Sequence, residues 1–256
     1  MSHLTLSTAD RFTVRSAVAP LLSEARISSS VTSQLVHGDV VQLVDGRGDW
    51  LRVRGRDDYE GWLHVGYLTP CVGTETRWPL SLGCTVRDAA GAERALPLGA
   101  HLAPGMEVVS GQAIAADERA TRFPRQADAI VDSALVLFSG TSYLWGGVTP
   151  WGVDCSGLVQ RVFALHGVTL PRDAWQQADA TRAVAADATA AHAPADLLFF
   201  SDRDDRRITH VGIATGDGRM VHSALLRGGT AVERLDATDA YVARLRAQCT
   251  GVHRAL

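Results

Sequence analysis

The residues able to do chemistry are crowded into one short stretch. Tyr143-Leu-Trp-Gly-Gly147 is followed by Gly152-Val-Asp-Cys-Ser-Gly157, so aromatics, glycines and one cysteine stand just ahead of an amphipathic run. Asp154 is a good helix N-cap type, which puts Cys155 in the first turn of a helix. Unpaired N–H groups and the helix dipole favour thiolate there, so a Cys155 pKa lowered from ~8.5 towards neutral is expected. Gly157 leaves room for a substrate or another backbone to approach. Cys71, Cys84 and Cys249 have no comparable setting and read as small, inert buried residues.

A nucleophile needs a base, and the chain offers nine histidines. His3, His37, His101, His192 and His253 lie near termini or in polar turns and read as solvated. His64 falls on a strand, and His166 falls in the last turn of the Cys155 helix, where a cation suits the dipole. His210 and His222 flank Thr215-Gly216-Asp217-Gly218, a hairpin signal. A hairpin centred on Gly216 sets them directly opposite on one face, provided the loop is odd in length or bulged. Two unrelated strand histidines are the bland alternative. A metal pair is disfavoured, because no carboxylate or cysteine stands at ligand spacing beside them. The set reads as Cys155 attacking, His210 moving the proton and His222 fixing the tautomer of His210. The backbone N–H of Cys155 and the Tyr143 hydroxyl are the expected oxyanion donors.

The elements that must hold this set fall into two styles. From about Val31 to Leu68 the chain reads as short strands, Asp39–Val44, Trp50–Val53 and Gly61–Val65, with tight polar turns. That is a small β-barrel pattern, with Trp50 and Trp62 in its core. Leu80 to Ile114 repeats the style, with strands expected at Cys84–Arg87, Gly99–Leu102 and Met106–Val109. A polar linker ends at Phe123-Pro124-Arg125. Helical spacing follows from Ala127 to Phe138 and again from Cys155, then strands at Leu197–Phe200, Ile208–Ala214 and Arg219–Ser223. Helices first and strands afterwards is an α+β signature. The run Ser201–Arg207 is a solvated loop.

Composition narrows the function classes. The 256 residues include no lysine and no asparagine, so all 25 basic residues are arginine. Lysine-dependent chemistry is excluded, as is a Cys-His-Asn triad. A net charge of −3 argues against a nucleic-acid binder. Residues 1–25 carry no apolar stretch suited to a signal peptide, and nothing later suits a membrane span. With four cysteines and no CxxC pair, a reducing cytoplasm is the expected compartment.

Taken in order, Tyr143-Leu-Trp-Gly-Gly, Asp154-Cys-Ser-Gly157, Leu170-Pro-Arg-Asp173, Asp196-Leu-Leu-Phe-Phe200, Ile208-Thr-His-Val-Gly212 and Met220-Val-His-Ser223 resemble the NlpC-type peptidoglycan peptidases, which are papain-like cysteine hydrolases. The resemblance runs from about Arg125 to the C-terminus. Ser33-Gln-Leu-Val-His-Gly38 and Tyr59-Glu-Gly-Trp62 are similar to a bacterial SH3-like barrel of the kind that precedes the γ-D-glutamyl-L-diamino acid endopeptidases of murein-peptide recycling. The resemblance implies a first SH3-like domain at 1–70, a second, smaller one at 71–124 and a peptidase domain at 125–256. It implies a substrate of the type L-Ala-γ-D-Glu-diamino acid with a free N-terminus, and neither cofactor nor metal. Asp154 and Ser156 would meet the L-alanine end and its amine, Trp145 would wall the pocket, and Tyr59 would block longer, glycan-linked substrates. Arg172 and Asp173 either bind the diamino-acid carboxylate or form a structural pair. Two positions depart from the family pattern: Ser30 stands where an acidic residue is common, and Ala195 where a glycine is usual. Alternative expectations are an exported hydrolase of glycan-linked stem peptides and a non-catalytic wall-peptide binding module.

Overall fold

The computed structural model describes residues 10–188 and 192–256, and the expectation for His3 lies outside them. The chain divides into two compact units at Glu118/Arg119. In the first, β1 (Arg11–Val14), β2 (Val18–Leu22), β3 (Val31–Val36), β4 (Val40–Arg47), β5 (Trp50–Arg54), β6 (Glu60–His64) and β7 (Leu68–Pro70) form one antiparallel sheet in the order β3-β2-β6-β5-β4-β1-β7. Alternating residues close it over Phe12, Val14, Leu21, Val41, Leu51, Val53 and Leu63. Trp62 is buried, with the Arg47 guanidinium 4.9 Å above its ring, while Trp50 keeps some exposure and meets His64 edge-on.

A second, three-stranded sheet follows, β8 (Leu80–Arg87), β9 (Glu93–Leu96) and β10 (Glu107–Ile114), in the order β10-β8-β9. Its core residues Cys84, Val86, Leu96, Ala100 and Leu102 pack on Val36 of β3. The segment 99–102 is not the expected strand. It makes a tight turn, with Ala100 N bonded to Pro97 O at 3.2 Å, and meets the start of β8 through an isolated bridge between His101 and Leu80. Nor is His37 solvated: it is buried in this junction, its Nδ1 2.6 Å from His101 O.

The second unit contains α1 (Arg119–Arg122), α2 (Ala127–Leu137), a two-stranded ribbon of β11 (Val148–Thr149) and β12 (Gly152–Val153), α3 (Cys155–Leu165) and α4 (Ala174–Asp179). Strands β13 (Arg182–Ala185), β14 (Leu197–Phe200), β15 (His210–Ala214), β16 (Arg219–Ala224), β17 (Gly229–Arg234) and β18 (Cys249–Arg254), with α5 (Ala240–Gln248) before the last, complete it. They form a six-stranded antiparallel sheet in the order β13-β18-β14-β15-β16-β17. Every residue of β14 is buried, which its unbroken Leu-Leu-Phe-Phe run requires, and α3 packs on β15 and β16. His166 caps α3, and burial lowers its pKa; its nitrogens meet Pro124 O at 2.6 Å and Ser133 Oγ at 2.9 Å. Desolvation thus opposes the cation expected there.

Candidate active site

Asp154 adopts extended backbone (φ −93°, ψ 179°) and its Oδ1 accepts from Gly157 N at 2.7 Å, so α3 starts at Cys155. The loop 144–147 lies over this helix end: Gly146 N donates to Asp154 Oδ2 at 2.8 Å and Asp154 N to Gly147 O at 3.2 Å. A Cβ at position 157 would overlap the Gly147 carbonyl oxygen, so this approach of loop to helix requires glycine.

The Asp154 carboxylate is spent within this framework. Arg172, 1% exposed, donates from Nη1 to Oδ1 at 3.0 Å and from Nη2 to Oδ2 at 2.6 Å, and from Nη1 to Ser156 Oγ at 2.8 Å. Ser156 Oγ in turn donates weakly to Oδ1 at 3.4 Å. Two amides, one hydroxyl and a bidentate guanidinium make five donors, which saturate the roughly four acceptor sites a carboxylate has. Arg172 is therefore the structural partner of Asp154, whereas Asp173 caps α4, where its N donates to Gln176 Oε1 at 3.1 Å. Gln177, which sequence reasoning passed over, ties α4 to the nucleophile turn by donating to Ser156 O at 3.0 Å and Pro171 O at 2.9 Å.

Cys155 is 9% exposed, and burial pushes its thiol up to about 12, with Asp154 adding to the rise. The amides of Val211 and Ser156 and the Arg172 guanidinium oppose it without prevailing. This overturns the expected depressed pKa: the helix end favours a thiolate, yet desolvation and a neighbouring carboxylate cost it more. His210 is lowered to about 3, by burial first and then by His222. Burial therefore acts on both groups towards their neutral forms, thiol for Cys155 and imidazole for His210.

The two histidines meet, His210 Nε2 to His222 Nδ1 at 2.7 Å, with the rings near perpendicular at 75°. The register is not the expected one. Ile213 pairs with Val221 and Ala214 with Met220, and Thr215 N bonds Arg219 O at 2.9 Å, so the turn is centred on Asp217. Continued, this register sets His222 opposite Gly212 and His210 one diagonal step away. A shift of two residues keeps both rings on one face, and diagonal neighbours are within reach of long side chains. Gly212 holds the gap open: a Cβ there would come 2.9 Å from Met220 Sδ and 3.3 Å from His222 Cβ.

Behind His222 stands a residue that sequence reasoning missed. Glu233 on β17 is buried, its Oε1 3.6 Å from His222 Nε2, and Arg227 grips it at 2.6 and 3.1 Å. Contact with His222 first, and with Arg227, lowers its pKa to about 2 against the opposing effect of burial. In sequence Glu233 looks like one more solvated charge; only the pairing of β16 with β17 turns it inward. Tyr143 is half-buried, and burial together with the nearby Cys155 and Asp154 raises its pKa, so its hydroxyl remains a donor. Trp145 is 68% exposed. Tyr59 belongs to the first unit, where it packs on the barrel core.

The NlpC/P60 family model matches residues 140–246, and the bacterial SH3 domain model matches residues 17–69. A gamma-D-glutamyl-L-lysine dipeptidyl-peptidase of Bacillus subtilis is 29% identical over 232 residues, covering 82% of this chain and 77% of the relative. A bifunctional muramidase/DL-endopeptidase of the same species is 48% identical over 89 residues, 34% of this chain and 26% of that one. The crystal structure of an NlpC/P60 family protein from Bacillus cereus shares the fold, with a TM-score of 0.77, 20% identity and coverage of 96% of this chain and 99% of its own. A thiol at a helix N-terminus, a paired-histidine strand face and these matches lead to one conclusion: the chain carries an NlpC/P60 domain, of a cysteine peptidase family, over residues 140–246 and a bacterial SH3 domain ahead of it.

Proposed function

We propose that the protein hydrolyses the γ-D-glutamyl–diamino acid bond of murein peptides bearing a free N-terminal L-alanine, and that it does so in cytoplasmic recycling of wall fragments. The observation that carries hydrolysis is the hydrogen-bonded histidine pair on β15 and β16, strands that pack against the helix that begins with Cys155. The choice of bond is supported by the likeness to a gamma-D-glutamyl-L-lysine dipeptidyl-peptidase over both units. The compartment is supported by four free cysteines among the described residues.

Cys155 Sγ attacks the scissile carbonyl as its proton passes to His210, forming the sulfur–carbon bond. Burial disfavours ionisation of either group beforehand, which favours coupled proton transfer and attack. The oxyanion is met by the N–H groups at the start of α3 and by the Tyr143 hydroxyl. Collapse breaks the C–N bond, His210 protonates the departing amine, and water then releases the acyl group with His210 again as base. Trp145 is proposed to bound the substrate. Asp154 and Ser156 act chiefly by shaping the nucleophile turn, since Arg172 already occupies them.

One observation favours a second reading, an enzyme acting on glycan-linked stem peptides. The Asp154 carboxylate is already engaged by Arg172 within the catalytic unit, which leaves it less available to a substrate ammonium. Cleavage of L-Ala-γ-D-Glu-diaminopimelate should be compared with that of its N-acylated and glycan-linked forms. Recycling requires faster turnover of the free tripeptide, and equal or faster cleavage of the linked form establishes the second reading. Cys155→Ala should abolish both; retained hydrolysis would remove the peptidase mechanism.

A further inference from the structure

His222 has no exposed surface, and its two ring nitrogens have different fortunes. Nδ1 meets His210, while Nε2 is one of three buried side-chain polar atoms without a hydrogen-bond partner among the described residues. That atom points at Glu233 Oε1 from 3.6 Å, just past hydrogen-bond range. Leaving a buried N–H unmet costs about 1–3 kcal/mol, so closing this gap by a small side-chain rotation is favourable. Glu233 is 7% exposed and is aimed by Arg227 on both oxygens. On the paired strands His222 faces Ala231 and Glu233 faces Met220, which makes His222 and Glu233 diagonal neighbours on one face.

We propose that Glu233 is a positioning residue for the peptidase: its carboxylate, oriented by Arg227, accepts from His222 Nε2–H and thereby sets the tautomers of both histidines. A carboxylate can only accept, so His222 carries its proton on Nε2 and its Nδ1 is left as an acceptor. His210 must then donate from Nε2, and its Nδ1 is bare, ready to take the proton from Cys155. When His210 becomes an imidazolium, Glu233 stabilises that charge through His222. The groups around His222 are His210 on β15, Glu233 on β17 and the Tyr241 ring on α5, with centroids 6.1 Å apart. Further out, Arg227 sits 4.4 Å above Tyr241 and 3.6 Å from Asp239, and Arg244 lies 5.6 Å from the same ring. Glu233 is the carboxylate of this group that reaches the imidazole.

The inference rests on His210 as the base and not on the identity of the peptide cleaved. Nitrogen-15 NMR of the histidine rings in the full-length protein at neutral pH tests it without any substitution. Protons on Nε2 of both His210 and His222 are expected; a proton on His222 Nδ1 overturns the proposal. Glu233→Gln should lower kcat about tenfold or more at nearly constant KM, in the range seen when an outer partner of a functional histidine is lost. It should also mix the ring tautomers and shift the acid limb of the kcat/KM profile, with Glu233→Asp recovering part of the rate. A purely structural Glu233 would leave tautomers and pH profile unchanged. His210→Ala separates the two failures: activity surviving it removes the base itself, whereas its loss alongside an unaffected Glu233→Gln removes only the role of Glu233.

Discussion

Replacing Arg172 with methionine should do more damage than any other single change in the nucleophile turn. The guanidinium is 1% exposed and supplies three of the hydrogen bonds around Asp154 and Ser156, two of them to the carboxylate at 3.0 and 2.6 Å. Methionine fills much of the same volume, so the loss is electrostatic and not a cavity. Asp154 would remain a buried charge with only the Gly146 and Gly157 amides and Ser156 to hold it. Breaking a buried pair from one side costs about 3–5 kcal/mol. The amides and the helix N-terminus persist, which points to the lower end, ~3 kcal/mol. For a unit of this size that corresponds to a melting temperature lower by roughly 10 °C. Calorimetry of the full chain, following the transition of the catalytic unit, measures it. Arg172→Met combined with Asp154→Asn removes both charges and should cost less than Arg172→Met alone, giving a coupling of about 2 kcal/mol. A single-variant cost under about 1 kcal/mol, or additivity within about 0.5 kcal/mol, would refute the argument.

Three further outcomes are expected. Alkylation of Cys155, followed by mass spectrometry, should lack a plateau at neutral pH and keep rising with pH, because the thiol is held at about 12; a plateau below pH 7 would mean a resting thiolate–imidazolium pair. Gly212→Ala should lower activity more than stability, since the added methyl presses on His222 Cβ at 3.3 Å and on Met220 Sδ at 2.9 Å; unchanged turnover would show that the histidine pair tolerates the shift. In the first unit, burial of Glu75 is outweighed by hydrogen bonds from Thr13 Oγ1 at 2.6 Å and Val72 N at 2.8 Å, which hold its carboxyl down at about 2. A folded pKa below the unfolded value of 4.5 adds stability that is complete above that pH and fades as pH falls towards 2. Glu75→Gln should therefore flatten the acid dependence of that unit's unfolding free energy between pH 5 and 2, as read by denaturant titration.

Residue type and spacing carried the reading furthest where interactions are local. The cap at Asp154, the helix from Cys155 and the burial of Leu197–Phe200 depend on neighbours a few residues away, and each stands where the periodicity predicts it. Even a departure from pattern had a local meaning: Ala195 takes φ +63°, a conformation that glycine adopts without strain, which explains why glycine is usual at this position. Polar groups in turns misled, because a turn in sequence says nothing of what packs over it. His37 and His166 both read as solvated or charged and are buried by segments distant in the chain.

Composition and order alone nominated a candidate nucleophile, a base and an orienting residue that is not asparagine, because these are matters of which side chains exist and how motifs follow one another. Tertiary structure decided how those groups are charged and what stands behind them. Desolvation, which no local spacing reports, turned an expected thiolate into a thiol. A turn centred one residue later moved the histidines from opposed to diagonal while preserving their shared face. Arg172 and Glu233 acquired their meaning only when the loop after α3 and the strand pairing of β17 brought them to Asp154 and His222, across gaps that only folding closes.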